Sequence, residues 1–169
     1  MGMTTRPTLD RAREAIFSML GPLDDANVID VYAGTGAMGI EALSRGAAHA
    51  TFIESDRAAQ HAIRENLVKF GALEQATLIE SSAEKAAARL AKRAPYDLVL
   101  ADPPWDIAAA AALVVAKLLP MLAPGARVLL GHRASEPLTL PPETGLTLAD
   151  SRKWGGSGMS FYEISKKTE

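Results

Sequence analysis

Short apolar runs alternating with helix-patterned stretches constrain this chain more than any other feature. Residues 27–32, 50–53, 76–79, 96–101 and 127–130 read as strands, and most of them are nearly continuous in apolar side chains. That pattern belongs to strands covered on both faces rather than one. Between them the periodicity predicts a helix running from a glycine turn to about Ser44, then helices over 57–70 (closed by Gly71), 84–93 and the alanine-rich 108–122, stopped by Pro124-Gly125. An amphipathic helix over 9–20 precedes the series, with Ile16, Phe17 and Leu20 on its apolar side, Thr8 as N-cap and Gly21-Pro22 as its stop. Asp56 suits the N-cap of the helix that begins at 57. Alternation of this kind implies an α/β fold, a parallel sheet with helices on both faces. Right-handed crossovers then place the C-terminal strand ends along one edge. The last part changes character: 146–153 and 157–165 read as two strands joined at Gly155-Gly156, a hairpin that brings antiparallel pairing into the sheet. No repeat or linker is visible, so one domain is expected over 1–169, with 1–24 a helical segment packed on it.

The shared edge collects the residues that carry chemistry. Gly34, Gly36 and Gly39 form a G-x-G-x-x-G string, which invites a dinucleotide reading. Two details point elsewhere. Asp30 lies inside the strand, where a carboxylate aimed into the pocket suits a positively charged ligand rather than a pyrophosphate. The glycines also come late, after Tyr32 and Ala33. S-adenosylmethionine fits better: it has a sulfonium, an amino-acid head and a ribose, but no phosphate. Asp30, Tyr32, Ala33, Gly34, Thr35, Gly36 and Gly39 are its candidate cradle. Glu54, followed by Ser55, ends the second strand and is placed to accept both ribose hydroxyls. Ser82-Ala83, after the third strand, flank the adenine; a serine N-cap would leave the same trace.

The fourth strand stops at Asp102-Pro103-Pro104-Trp105. Neither proline has an amide hydrogen. A carboxylate that only accepts hydrogen bonds and a flat aromatic face stand beside their carbonyls. Together they suit a planar molecule bearing an amino group. The ring stacks, while Asp102 and the Pro103 carbonyl take the two amino hydrogens.

Charge and composition remove several classes. A net charge of −2 argues against nonspecific coating of nucleic acid, although Arg6, Arg11 and Arg13, and Arg152, Lys153, Lys166 and Lys167, form local basic groups. The helix carrying Arg11 and Arg13 is a candidate RNA-contacting or cofactor-closing element; solvated arginines on an amphipathic helix read equally well. With no cysteine, and with His49, His61 and His132 scattered, neither disulfides nor a metal site is expected. No run approaches the roughly 20 apolar residues of a membrane helix, and the first residues lack a signal-peptide core. A cytoplasmic protein without membrane contact, acting as a monomer, is the expectation.

Arg6-Pro7-Thr8-x-Asp10-x-x-Arg13-Glu14-x-x-Phe17, the run Asp30 to Gly46, Phe52-Ile53-Glu54-Ser55-Asp56 and Asp102-Pro103-Pro104-Trp105 together resemble the bacterial family that methylates the exocyclic N2 of guanine in small-subunit (16S) rRNA. The resemblance covers nearly the whole chain. It implies a Rossmann-like class I methyltransferase: a mostly parallel seven-stranded sheet, helices on both faces and a C-terminal antiparallel hairpin. It also implies an enzyme that takes its methyl group from S-adenosylmethionine and acts on rRNA, free or in the assembled small subunit. Asp102, Pro103, Pro104 and Trp105 would be catalytic, Asp102 would also border the cofactor, and Arg6, Arg11, Arg13 and Trp105 would meet RNA. Two departures stand out. Only five residues precede Arg6, where that family carries a glycine- and lysine-rich stretch, and Trp105 replaces the more usual phenylalanine or tyrosine. The tetrapeptide also suits an amino-methyltransferase acting on adenine or on protein glutamine. The glycine spacing leaves an NAD-linked oxidoreductase as a more distant reading, and a non-catalytic binding module of the same fold as another.

Overall fold

The computed structural model describes residues 7–164. Seven strands form one sheet in the order β3-β2-β1-β4-β5-β7-β6. They are β1 (Asn27–Val31), β2 (His49–Glu54), β3 (Ala76–Glu80), β4 (Tyr96–Ala101), β5 (Leu122–Arg133), β6 (Leu146–Trp154) and β7 (Ser157–Ile164). β1 to β5 run parallel, and β7 lies antiparallel between β5 and β6. The helices are α1 (Pro7–Leu20), α2 (Ala37–Ser44), α3 (Arg57–Lys69), α4 (Ala87–Leu90) and α5 (Ala108–Leu118). The buried side chains form two clusters, one on each face of the sheet. Phe17, Val28, Phe52 and Leu98 belong to the first, with α1 and α3 contributing Ile16 and Ile63. Ile29, Ile53, Val99 and Leu130 belong to the second, with Leu90, Val115 and Leu118 from α4 and α5. Alternate residues of β1 and β4 enter opposite clusters, which is why these strands read as continuous apolar runs.

β1 lies between β2 and β4: the chain runs outward from β1 through β2 to β3, then crosses back to β4 on the other side. Open α/β sheets bind ligands at such a switch point. α1 reaches this region by burying Ile16, Phe17 and Leu20, and the Leu20 carbonyl accepts a 2.7 Å bond from the Arg127 guanidinium.

Four local expectations need correction. Thr8 is not an N-cap: the helix already includes Pro7, a position where a missing amide hydrogen does no harm. The helix expected over 84–93 is one α-turn, Ala87–Leu90, between the 3-10 turns Ala83–Lys85 and Ala91–Arg93. The helix expected over 108–122 ends at Leu118 and is finished by the 3-10 turn Leu119–Met121. Pro124-Gly125, read as a helix stop, lie inside β5, which runs from Leu122 to Arg133 instead of covering 127–130 alone. The strand absorbs them through an irregularity: Tyr96 pairs with Leu122, but Leu98 pairs with Arg127. Proline cannot donate to the ladder, so the pairing skips it.

Candidate functional site

Beyond Val31 the chain turns sharply, with Tyr32 at φ 59, Gly34 at 58 and Gly36 at 81. Gly36 precedes α2, and a Cβ there would come within 3.3 Å of both Phe52 and Ile63, so strain and crowding both exclude a side chain. The turn is stitched from within. The Gly34 amide donates to Glu54 Oε2 at 2.8 Å, the Gly36 amide to the Ala33 carbonyl at 2.8 Å, and the Gly39 amide to Asp30 Oδ2 at 2.9 Å. A pyrophosphate would need these donors free. Their internal satisfaction separates this turn from a dinucleotide site. Gly36 and Gly39 therefore shape the turn rather than line the cleft.

Glu54 is engaged at both oxygens, because Oε1 accepts from the Asp56 amide at 2.9 Å. It holds the glycine turn and still borders the larger cavity. Asp56 caps α3 as the sequence indicated, accepting from Ala59 at 2.9 Å. Ser82 precedes a 3-10 turn but makes no side-chain cap, which leaves its hydroxyl to the cleft wall. Asp30 is 3% exposed. Burial pushes its pKa up to about 8; the Gly39 amide opposes the rise, and the charges of Asp102 and Glu54 add to it.

Two cavities open along the strand ends. The larger, of 590 Å3, is walled by Glu54 and Ser55 after β2, by Ser81 to Glu84 after β3, and by Asp102 to Trp105 after β4. The smaller, of 350 Å3, lies between the glycine turn and α1, against Asp30, Ala33, Thr35, Arg13 and Trp154. Tyr32, Gly34, Asp102 and Ser157 border both. The two spaces thus lie side by side, meeting at the Asp102 residue that follows the fourth strand.

Asp102 is exposed to the cleft, yet the protein atoms around its carboxylate desolvate it, which raises its pKa, and the neighbouring His132 lowers it. Its carboxylate lies against Gly131 of β5, where any Cβ would overlap Oδ1. His132 is buried, with Nδ1 2.7 Å from the Arg133 carbonyl and Nε2 2.8 Å from Ser160 Oγ. A carbonyl only accepts, so Nδ1 donates to it, while Nε2 pairs with the serine hydroxyl. Trp105 is 43% exposed at the mouth of the larger cavity, with the Arg133 guanidinium 5.0 Å from its ring centroid.

The structure brings Asp30, Tyr32, Ala33, Gly34, Thr35, Glu54, Ser55, Ser82, Ala83 and Asp102 to Trp105 onto these walls. Arg13 borders the smaller cavity, paired with Asp10 at 3.1 Å and more loosely with Glu41 at 3.9 Å. Arg11 is exposed away from both walls. Arg6 lies outside the described residues. The sequence reading missed Glu84, Gly131, Arg133 and Ser157. Ser157 and Arg133 are register partners across β5 and β7, a pairing visible only once the hairpin has docked. The buried Tyr32 hydroxyl has no hydrogen-bond partner among the described residues. Among them, no three histidine or acidic side chains gather as a metal site, and no helix is long and apolar enough to cross a membrane.

A sheet of this order, with an internally bonded acidic glycine turn and two neighbouring cavities across its switch point, defines the Rossmann-like class I methyltransferase fold. An RNA methyltransferase from Salinibacter ruber, solved with S-adenosyl-L-homocysteine, shares it at a TM-score of 0.66 and 17% identity, over 99% of this chain and 97% of that one. The chain belongs to the family described as conserved hypothetical protein 95, which it matches over residues 1–163. The solved Escherichia coli protein yhhF is 32% identical with a TM-score of 0.80, covering 98% of this chain and 91% of that one. Ribosomal RNA small subunit methyltransferase D of Escherichia coli K12 is 45% identical over 101 residues, 59% of this chain and 50% of that one. The chain spans about half the length of the curated relatives it matches.

Proposed function

We propose that this protein transfers a methyl group from S-adenosylmethionine to the exocyclic N2 amine of a guanine in small-subunit rRNA. One observation carries the reading: Asp102 stands where two cavities meet, so a donor in one and an amine in the other would face each other across it. The names carried by the matched relatives supply the substrate class.

The wall chemistry fits the donor. S-adenosylmethionine supplies an electrophilic methyl group on a sulfonium. Asp30 offers a carboxylate to the cationic end, and Glu54 keeps lone pairs for the ribose. Ser82 and Ala83 border the adenine, and Tyr32 borders both spaces.

On the acceptor side, Asp102 and the Pro103 carbonyl each take one amine hydrogen. Conjugation with the purine flattens that nitrogen and withdraws its lone pair. Two acceptors favour a pyramidal nitrogen whose lone pair points at the methyl group. Desolvation makes Asp102 more basic than an ordinary aspartate, which strengthens its hold as positive charge builds on the nitrogen. As the new N–C bond forms and the C–S bond breaks, one amine proton leaves toward Asp102 or water. Trp105 stacks on the base, worth roughly 1–3 kcal/mol; the guanine must leave its own stack to reach it. The protein acts on this reading as a cytoplasmic monomer.

The test is methyl transfer from labelled S-adenosylmethionine to small subunits lacking the modification, with naked rRNA and DNA in parallel. Product analysis should return N2-methylguanine from one of the RNA substrates. Label on adenine or on protein glutamine would replace this acceptor with a rival one. Calorimetric binding of NAD but not S-adenosylmethionine would end the reading altogether.

A further inference from the structure

We propose that Arg133 is a substrate-positioning residue that grips a backbone phosphate of the RNA beside the nucleotide drawn into the cleft, using Trp105 as its platform. The inference rests on the function proposed above. The guanidinium carbon sits over the Trp105 ring, 5.0 Å from its centroid. Such a stack occupies the face of the guanidinium and leaves the in-plane N–H groups pointing outward. Those edges suit two oxygens of one phosphate.

Several other arginines are already engaged. Arg13 is paired with Asp10 and Glu41, Arg152 with Asp150, and Arg127 with the Leu20 carbonyl. Among the described residues, the Arg133 side chain has neither a carboxylate partner nor a hydrogen-bond acceptor. It is exposed, at the end of β5, two residues beyond the glycine that accommodates Asp102.

Charge makes a cation here necessary. The cleft is acidic, with Glu54, Glu84 and Asp102 on its walls. An incoming RNA strand meets repulsion unless the rim supplies positive charge. Arg133 supplies it next to the aromatic ring that would hold the base. With Arg133 on one ring face, the base has the other. Guanidinium, indole and base then stack in that order, placing the cation one layer from the extruded nucleotide, within reach of a neighbouring phosphate. Gly156 of the hairpin turn lies beside the ring edge: a Cβ there would be in ordinary contact with Trp105 Cη2, at 3.6 Å.

Arg133→Gln and Arg133→Lys separate phosphate binding from simple support of the ring. Both are assayed with a substrate RNA that wild type methylates, so failure of the wild type would reject the function itself and not this inference. For Arg133→Gln, KM for RNA should rise roughly ten-fold or more, with the larger loss in KM rather than kcat. The slope of log affinity against log salt should fall by about 0.7, one single-strand phosphate contact. Arg133→Lys should restore most of that slope, and S-adenosylmethionine affinity should not change in either variant. An unchanged salt slope in Arg133→Gln would overturn the assignment, as would a loss confined to kcat that lysine fails to rescue; the latter would mark Arg133 as a support for Trp105 only.

Discussion

The two walls of the cleft are built on opposite plans. On the glycine-turn side nearly every polar group is already bonded within the protein: Gly34 to Glu54, Gly36 to Ala33, Gly39 to Asp30 and Asp56 to Glu54. On the Asp102 side the groups face open space. Among the described residues the Asp102 side chain makes no hydrogen bond, Trp105 is partly exposed, and the Arg133 side chain has no polar partner. A small ligand of fixed shape is served by a rigid, pre-bonded wall, because little ordering remains to be done on binding. A large polymer that must present one nucleotide is served by unpaired groups that find their partners on arrival. On the proposed function, donor binding belongs to the first wall and acceptor chemistry to the second.

Removing the group at the seam should break this contrast most sharply. Asp102→Ala is expected to lower methyl transfer by about 10²–10³-fold or more, while calorimetry shows cofactor affinity near wild type. Turnover close to wild type would show that the carboxylate is not part of the chemistry.

Gly131→Ala tests the same group without removing it. The added methyl group overlaps Asp102 Oδ1 and must push the carboxylate aside. A misplacement of about 1 Å can cost roughly 100-fold in rate, so kcat should fall strongly while the cofactor still binds. A variant with wild-type kcat would mean that the position of Asp102 is not critical.

Asp30→Asn sharpens the pre-bonded side and has the smallest effect. With its folded pKa near 8 and the unperturbed value at 3.8, Asp30 holds an extra proton in the folded protein between those limits. Its contribution to the stability of the ligand-free protein is full below pH 4 and is lost as pH rises through about 8. The asparagine variant should therefore lose this part of the decline in melting temperature, gaining on wild type as pH climbs. Affinity for S-adenosylmethionine should rise with pH in wild type, as the carboxylate ionises, and should stay flatter in the variant. Identical pH profiles for the two proteins would remove Asp30 from the cationic end of the site.

Much of this was legible in the chain. The parallel strands announce themselves as apolar runs because both faces are covered. The Asp56 cap is a one-residue signal with a local cause, and Asp30, Glu54 and Asp102 stand at strand ends, where the fold places ligands. Other features were hidden for physical reasons. Pro124-Gly125 looks like a stop because proline and glycine end most helices, and only pairing with β4 shows the strand running through them. Glu54 looks free because a distant amide, Gly34, is bonded to it. Ser157 and Arg133 look like ordinary surface residues until strand order 5-7-6 sets the hairpin beside Asp102.

The sequence alone therefore determined the layered fold, the acidic glycine turn and the Asp-Pro-Pro-Trp strand end, because periodicity and turn chemistry act over a few residues. Tertiary structure decided which amides remain free for a ligand, which glycine makes room for Asp102 and which arginine reaches Trp105. Those outcomes depend on groups far apart in the chain, and they are settled only when the strands take their register and neighbouring side chains compete for the same space.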